Sequence, residues 1–595
     1  SGYPLLMCGI AGLMGKNSTL PDPSTLDSLE AALLHRGPDG SGRYIYRNTA
    51  ILQTRLAIID LEKGDQPFVV QPRKGKPVAL VANGEIYNYR ELSENLMGAN
   101  LISSSDCEPP LHLYLRDGVR FAESLRGMYA FAIYDANLDR LILGRDPFGI
   151  KPLYYVETGT LFAFASEPQA LIKAGICEPE ENASAFQELL QLQFTCGRET
   201  PFAGIFRVLP GETIVIEGGQ IIERIQVSGL PMHAPIEITE SSAMTELEGL
   251  FMQSVEFHQR SDVPYGMFFS GGVDSSALLA MMRRLNSQPV KAFTLGFDRA
   301  DICDERDHAR DVAQFAGAEH VEVSFAEKDF WELLPSVARI IDDIVADYAT
   351  LPTFKLAQAV QESGIKVILS GEGGDEMFAG YGRYRRASRN RLLGGRAMRA
   401  NGLLDGMGLL RQEGRDWRNR ISKFERDLPP CLTKLQMAQA TDCAHWLPND
   451  LLIKLDRCLM AHGVEGRVPF VDPAVAQFSF ALPDSLKVRK GLGKWLLRSW
   501  LDSALPECDP FSKKRGFTVP VGEWIFKQGS KLGPLVASQA GVERYCNPEA
   551  VRRIFKVTGK RIGQAQWTLL FFALWHGIHM EGNTGEGDVF DALAA

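Results

Sequence analysis

The sequence predicts two folded units of different class. Residues 8–227 read as an α+β layered unit, and residues 242–580 as an α/β unit with a parallel sheet running into a mainly helical remainder. Three observations predict this. Short strand-like runs with few long helices fill the first part. Apolar strands alternating with helices open the second, as a parallel sheet covered on both faces requires. Between them lies the polar, proline-containing stretch SGLPMHAPIEITES (228–241), which reads as a linker. A chain of 595 residues is too long for one ordinary core, at roughly 100–200 residues per domain.

The elements follow in order. SGYPLLM (1–7) lacks a basic start and is too short for a secretory signal, so it reads as an added leader. AILQTRLAIID (50–60), PVALVANGEIY (77–87), GMYAFAIYD (127–135) and RLILGRD (140–146) are rich in β-branched and aromatic residues and punctuated by Gly, Pro and Asp. Helical patterns at 24–34, 88–97 and 107–117 lie between them. VLPGETIVIEGGQIIERIQV (208–227) reads as a closing hairpin. In the second unit a helix (243–258) leads to VPYGMFF (263–269), a glycine turn and a helix (275–285). Strands at 290–297, 320–324 and 365–370 then alternate with helices at 305–316, 327–341 and 353–363. The acidic, Gly-rich stretch 581–595 reads as a frayed, flexible tail.

Composition sets limits. An apolar fraction of 45% with 23% charged residues is that of a soluble globular protein. A net charge of −9 gives no reason to expect nucleic acid or an anionic membrane as partner. No apolar run reaches the roughly 20 residues of a membrane span. The ten cysteines form no C-x-x-C pair, which favours reduced thiols and a cytoplasmic location over zinc or disulfides. The His576/His579 pair has no third ligand nearby in sequence and reads as packing at a helix end. The oligomeric state, a homodimer included, is left open.

Two loops carry the chemistry of the second unit. SGGVDSS (270–276) follows a strand and opens a helix. Gly271 and Gly272 let backbone N–H groups approach a ligand, and Ser270, Ser275 and Ser276 add hydroxyls. Asp274 suits a phosphate cradle only as a ligand of Mg²⁺. A plain glycine turn with a capped helix fits this loop equally well. SGEGGDEMFAGY (370–381) decides between them. It too follows a buried strand, and it carries Glu372, Asp375 and Glu376. Ligands of open parallel sheets bind beyond the carboxyl ends of the strands. Two such loops make one composite site in which Asp274 and Asp375 share Mg²⁺ on a nucleotide pyrophosphate. Neither a Walker loop nor a G-x-G-x-x-G is present.

The S-G-G-x-D-S signature resembles that of N-type ATP pyrophosphatases. With SGEGGDEMFAGY, EGRVPFVDP (465–473) and KKRGFTVPVGEW (513–524), the chain resembles the synthetase domain of glutamine-dependent asparagine synthetases of the bacterial B type, in the family's motif order and over nearly its whole length. The resemblance implies that Ser270, Gly271, Gly272, Asp274 and Ser275 hold the pyrophosphate of ATP, and that Phe269, Leu295, Ser370 and Gly371 border the adenylate. Glu372 is then the acid of acyl-adenylate formation and ammonia entry. Lys514 is the cation against the α-phosphate region, where a fixed charge stabilises in-line attack.

The same resemblance makes the first unit a four-layer N-terminal-nucleophile hydrolase with glutaminase activity, starting at MCGIAG with Cys8 as nucleophile. A free α-amine titrating near ~7.7–8.0 can take the thiol proton, so no catalytic histidine is required. Arg55 in QTRLAIID is implied as the partner of the glutamine α-carboxylate. Asn83 with the Gly84 N–H is implied as the oxyanion hole, and Glu85 and Asp106 as acceptors for the substrate α-ammonium. LHRGPDG (34–40) reads as loop architecture. With residues 1–7 attached, the Cys8 amine is an amide, and this form is expected to lack glutaminase activity.

The expected reaction amidates the aspartate side chain through β-aspartyl-AMP, with ammonia from glutamine sheltered between the two sites. One alternative is the same fold amidating another carboxylate; a β-lactam-forming relative would lack the nucleophilic cysteine. A second is a nucleotide- or amino-acid-binding regulator, against which the complete residue sets argue.

Overall fold

The computed structural model describes residues 8–37, 39–72, 75–96, 98, 100–297, 305–389, 394–414, 416–512 and 519–594. Seventeen strands are present among them: β1 Gly9–Gly15, β2 Gly40–Tyr46, β3 Thr49–Arg55, β4 Phe68–Val70, β5 Val78–Ile86, β6 Gly127–Asp135, β7 Arg140–Arg145, β8 Tyr154–Glu157, β9 Leu161–Ala165, β10 Ile205–Arg207, β11 Glu212–Glu217, β12 Gln220–Gln226, β13 Tyr265–Phe268, β14 Lys291–Phe297, β15 Glu319–Phe325, β16 Val367–Leu369 and β17 Glu465–Arg467.

The first twelve form two antiparallel six-stranded sheets, ordered β10-β8-β9-β1-β3-β2 and β12-β11-β7-β6-β5-β4. Side chains alternate across a strand, and β1 shows the consequence. Ile10 and Met14 join Ala79, Val81, Ala130 and Ala132 in a core between the sheets. Ala11 and Leu13 point the other way and pack with Leu26, Leu29 and Leu33 of the helix Pro23–Leu33. On the far side Val78, Leu80 and Ala82 of β5 pack with Leu111, Leu113 and Tyr114 of the helix Pro109–Asp117. The order is therefore helix, sheet, sheet, helix.

The segment 228–239 carries neither helix nor strand, and the helix Glu240–His258 follows. The last five strands form one sheet, ordered β15-β14-β13-β16-β17, with every described pairing parallel. The chain runs outward from β13 to β14 and β15, then returns to the other side of β13 with β16. The strand order reverses at β13/β16, the position where open α/β sheets bind their ligands.

Two features differ from the sequence-based expectation. The stretch 581–595 is not all frayed: Val589–Ala594 is a helix, and its Val589, Ala592 and Leu593 are buried. These apolar residues recur at helical spacing and dock on the helices Glu327–Ile340 and Lys560–His579. The edge strand β17 is also an addition. Its three residues, Glu-Gly-Arg, offer no apolar pattern to recognise. The histidine pair is accounted for by packing and hydrogen bonding, with His576 Nε2 2.9 Å from Glu181 and His579 Nε2 3.0 Å from the Ala338 carbonyl. Among the described residues no helix is long and apolar enough to cross a membrane.

Candidate active sites

Cys8 enters β1 at the edge of a cavity lined by Gln53, Arg55, Gly84, Glu85, Asp106 and Glu465. Its sulfur accepts the Leu56 N–H at 3.3 Å and lies 3.6 Å from the Leu56 carbonyl. Burial pushes the Cys8 thiol up to about 12, and the nearby Glu465 and Glu85 charges add to this. At neutral pH the isolated side chain is a thiol, so nucleophilic attack needs a base.

Arg55, Gly84, Glu85 and Asp106 converge here, while Asn83 is not among the residues that line the cavity. Gly84 has φ +135°, and a β-carbon there would collide with the Met128 carbonyl, so glycine is required. Asn83 is 2% exposed, and its amide Nδ2 has no hydrogen-bond partner among the described residues. A buried orphan donor costs stability unless a ligand uses it. Arg55 Nη1 donates to Asp65 at 2.6 Å, and Nη2 to the carbonyls of Asp60 and Ile59. Glu85 pairs with the fully buried Arg467 at 3.1 Å. Burial and the Asp106 charge push the Glu85 carboxyl well above its usual range. Asp106 accepts the Ile86 N–H at 2.7 Å, and burial pushes it up to about 6. The cavity measures about 30 Å³ in this conformation, room for a water rather than an amino acid.

The second site lies at the carboxyl ends of β13 and β16. Gly272 caps the helix Val273–Leu285. Ser275 Oγ accepts the Ser270 N–H at 3.2 Å, and Ser270 Oγ accepts the Gly272 N–H at 3.3 Å, which folds the loop around its own backbone donors. The SGEGGDE loop packs directly on it. A β-carbon on Gly374 would meet the Asp274 carboxylate at 2.5 Å, so the close approach depends on glycine. Phe269 and Leu295 stand at the ends of neighbouring strands, both buried. Ser370 is tied to β17 by its N–H to the Arg467 carbonyl at 2.8 Å, and Glu372 N–H reaches Ser370 Oγ at 3.4 Å. Asp274 and Asp375 do converge. The group between them is the ammonium of Lys494, which bonds Asp274 and lies 2.6 Å from Asp375. Lys454, also buried, lies 3.0 Å from Asp347 and 3.6 Å from Glu372. Among the described residues no group of three or more His, Cys, Asp and Glu side chains is close enough to hold a metal ion by itself. Lys514 lies outside the described residues.

A family profile described as Asparagine synthase matches residues 246–577, and one described as Glutamine amidotransferase domain matches residues 7–225. The chain is 30% identical to asparagine synthetase (glutamine-hydrolyzing) 1 of Bacillus subtilis (strain 168), over 97% of this chain and 97% of that protein. It is 32% identical to a putative asparagine synthetase (glutamine-hydrolyzing) of Mycobacterium tuberculosis (strain ATCC 25618 / H37Rv), over 97% of this chain and 98% of that one. The chain belongs to the glutamine-hydrolysing asparagine synthetases. Among solved structures, a glutamine phosphoribosylpyrophosphate amidotransferase from B. subtilis shares 18% identity, with a TM-score of 0.30 over 54% of this chain and 81% of that one.

Membership in the asparagine synthetases makes this an enzyme of ATP-dependent asparagine synthesis with glutamine as amide donor. The two matched regions correspond to the two geometric sites, and the structure adds residues that spacing does not reveal. Lys494 lies in KVRKGLGKWLLR, a basic stretch in which nothing sets it apart from Lys487, Arg489 and Lys490, and it is 220 residues from Asp274. Glu465 and Arg467 belong to EGRVPFVDP, in the synthase region, yet they line or brace the cavity beside Cys8. Arg36 of LHRGPDG is not loop architecture alone: it is wholly buried and donates to the Cys8 carbonyl at 3.2 Å.

The Asp106 carboxyl yields a pH prediction. An acceptor for the substrate ammonium must be ionised. If Asp106 receives the substrate ammonium, as the family resemblance implies, protonation below about pH 6 removes that attraction. The KM for glutamine is expected to rise as pH falls through that value, while the KM for ATP in ammonia-dependent synthesis does not follow. Parallel pH profiles of the two constants check this, and Asp106→Asn should remove the component near pH 6 while leaving that of Glu85, whose carboxyl is also raised.

Proposed function

We propose that the first unit, residues 8–227, is an N-terminal-nucleophile glutaminase and the second, residues 242–580, an ATP-pyrophosphatase-type synthetase, and that aspartate is the acceptor. The interlocked loops on β13 and β16, with Asp274, Asp375 and Lys494 at their meeting point, are the observation that carries the reading.

In the synthetase, Ser270, Gly271, Gly272 and Ser275 bind the β- and γ-phosphates through backbone and hydroxyl donors. Phe269, Leu295, Ser370 and Gly371 border the adenosine. Asp274 and Asp375, which here share the Lys494 ammonium, would be the hard oxygen ligands of a Mg²⁺ ion, and such an ion would neutralise phosphate charge. Lys494 is placed to face the phosphates, so charge on the α-phosphorus oxygens meets a buried cation as the aspartate β-carboxylate attacks. Lys514 is the second candidate for that role, on the family resemblance alone. Glu372, steadied by Lys454, stands where ammonia would meet the acyl-adenylate.

In the glutaminase, the α-amine of a terminal Cys8 takes the thiol proton, and the thiolate attacks the glutamine side-chain carbonyl. The Asn83 amide and the Gly84 N–H hold the oxyanion. Asp65, whose side chain is 78% exposed, occupies Arg55 as a substrate carboxylate would, and the glutamine α-carboxylate takes its place. Glu85 and Asp106 receive the α-ammonium. The nine described cysteines are unpaired, which supports the reducing cytoplasm as the location.

The acceptor is tested by pyrophosphate release with a panel of amino and carboxylic acids, ammonia serving as nitrogen source. Aspartate is expected to give the highest kcat/KM with asparagine as product. A better acceptor elsewhere in the panel would overturn the assignment to aspartate. Asp274→Asn or Asp375→Asn is expected to suppress ATP–pyrophosphate exchange while glutamine hydrolysis survives; normal exchange in both variants would refute the composite site.

A further inference from the structure

The helix Leu452–Met460 belongs to the synthase region but reaches the backbone of the nucleophile. Arg36 is the intermediary. Its Nε donates to the Cys8 carbonyl at 3.2 Å. Its other two nitrogens fork onto Asp456, Nη1 to Oδ2 at 3.0 Å and Nη2 to Oδ1 at 3.2 Å. Nη1 also reaches Glu167 at 2.7 Å. Arg36 is 0% and Asp456 7% exposed. Asp456 is itself fixed from behind by Arg457 Nη1 at 2.8 Å, and Arg457 Nε is held by Asp342 at 2.8 Å. Against burial, which pushes it up, the Arg36 and Arg457 guanidiniums hold the Asp456 carboxyl below its usual range.

We infer that Asp456 is a positioning residue for glutamine hydrolysis, acting across the domain boundary through Arg36; the inference rests on the reading of Cys8 as the nucleophile. A guanidinium has one rigid plane. Glu167 touches only one of its nitrogens, so a single acid leaves it free to pivot. The two-point fork from Asp456 fixes the plane, and with it the third donor and the carbonyl that donor holds. That carbonyl is one bond from the Cys8 α-carbon, which carries both the thiol and the amine that must deprotonate it. The same two-turn helix carries Lys454 beside Glu372. One rigid element therefore sets the place of the nucleophile's main chain in one domain and of the acid's partner in the other.

The test uses the full chain processed to start at Cys8, with glutamine hydrolysis and ammonia-dependent asparagine synthesis measured on each variant. Asp456→Asn keeps the shape and one acceptor but loses the charged fork. Its kcat for glutamine hydrolysis is expected to fall on the order of 10²-fold, the cost of misplacing a reacting group by about 1 Å, with KM for glutamine little changed and ammonia-dependent synthesis retained. Asp456→Glu should recover part of the loss. Arg36→Lys, which keeps the charge without the fork, should reproduce the kcat defect from the other domain. Unchanged glutamine kcat in Asp456→Asn overturns the proposal. So does an equal loss of both activities in Asp456→Asn and Arg36→Lys, since that is general destabilisation. Cys8→Ala separates the premise: if that variant still hydrolyses glutamine, the nucleophile assignment has failed.

Discussion

Cys8→Ala is expected to abolish glutamine-dependent synthesis and to leave ammonia-dependent synthesis at its original rate. The argument is one of protonation. The Cys8 thiol is pushed up to about 12 by burial, so at neutral pH its own ionised fraction is negligible. The cavity lining offers carboxyls and an arginine but no histidine. On the proposed reading the base is the α-amine, which is free only when Cys8 is the first residue. In the chain with SGYPLLM attached that nitrogen is an amide. Glutamine hydrolysis is therefore expected to be absent before removal of residues 1–7 and present after it, with ammonia use the same in both forms. Equal glutamine turnover in the two forms would show that the amine is not the base.

Lys494→Met is expected to produce the complementary defect. Synthesis with either nitrogen source falls, and glutamine hydrolysis in the processed chain continues. Lys494 is buried and bonded to both Asp274 and Asp375. Burial lowers its proton affinity, but the two carboxylates more than restore it and raise it above the ordinary lysine value. It therefore carries its positive charge at neutral pH. A preorganised charge of this kind acts most strongly where charge develops in the transition state, and removing one such donor costs about 10²–10³ in turnover. The loss should appear in kcat for pyrophosphate release at saturating ATP more than in ATP affinity. Lys514→Ala measured beside it decides which lysine faces the phosphates. The larger loss belongs to Lys494 on the present geometry, and the reverse order would return the role to Lys514.

The different reach of sequence and structure has physical causes. Strands such as β5 and β6 were legible because side chains alternate between two faces, both buried under different layers. The loops on β13 and β16 were legible because phosphate binding needs glycine and hydroxyls in a short run. Arg55, Glu85 and Asp106 line one cavity with Cys8. Lys494 was not legible, because nothing in the sequence distinguishes it from the neighbouring Lys487, Arg489 and Lys490. β17 is three residues long and is recognised only by its parallel pairing with β16. The tail helix Val589–Ala594 was obscured by the glycines and acids that precede it, although its own apolar spacing is regular. Asp456 was hidden for another reason: its partner lies 420 residues earlier.

The Arg36–Asp456 fork also constrains how this protein can evolve. Each half of the pair is encoded in a different domain, and each is buried. Losing one partner removes the two-point fork and leaves the other with a single remaining ion-pair partner, Glu167 for Arg36 or Arg457 for Asp456. A glutaminase region transplanted from a distant amidotransferase would have to bring, or find, a matching guanidinium at this point. Substitutions at this seam are therefore expected to be tolerated best when both partners change together.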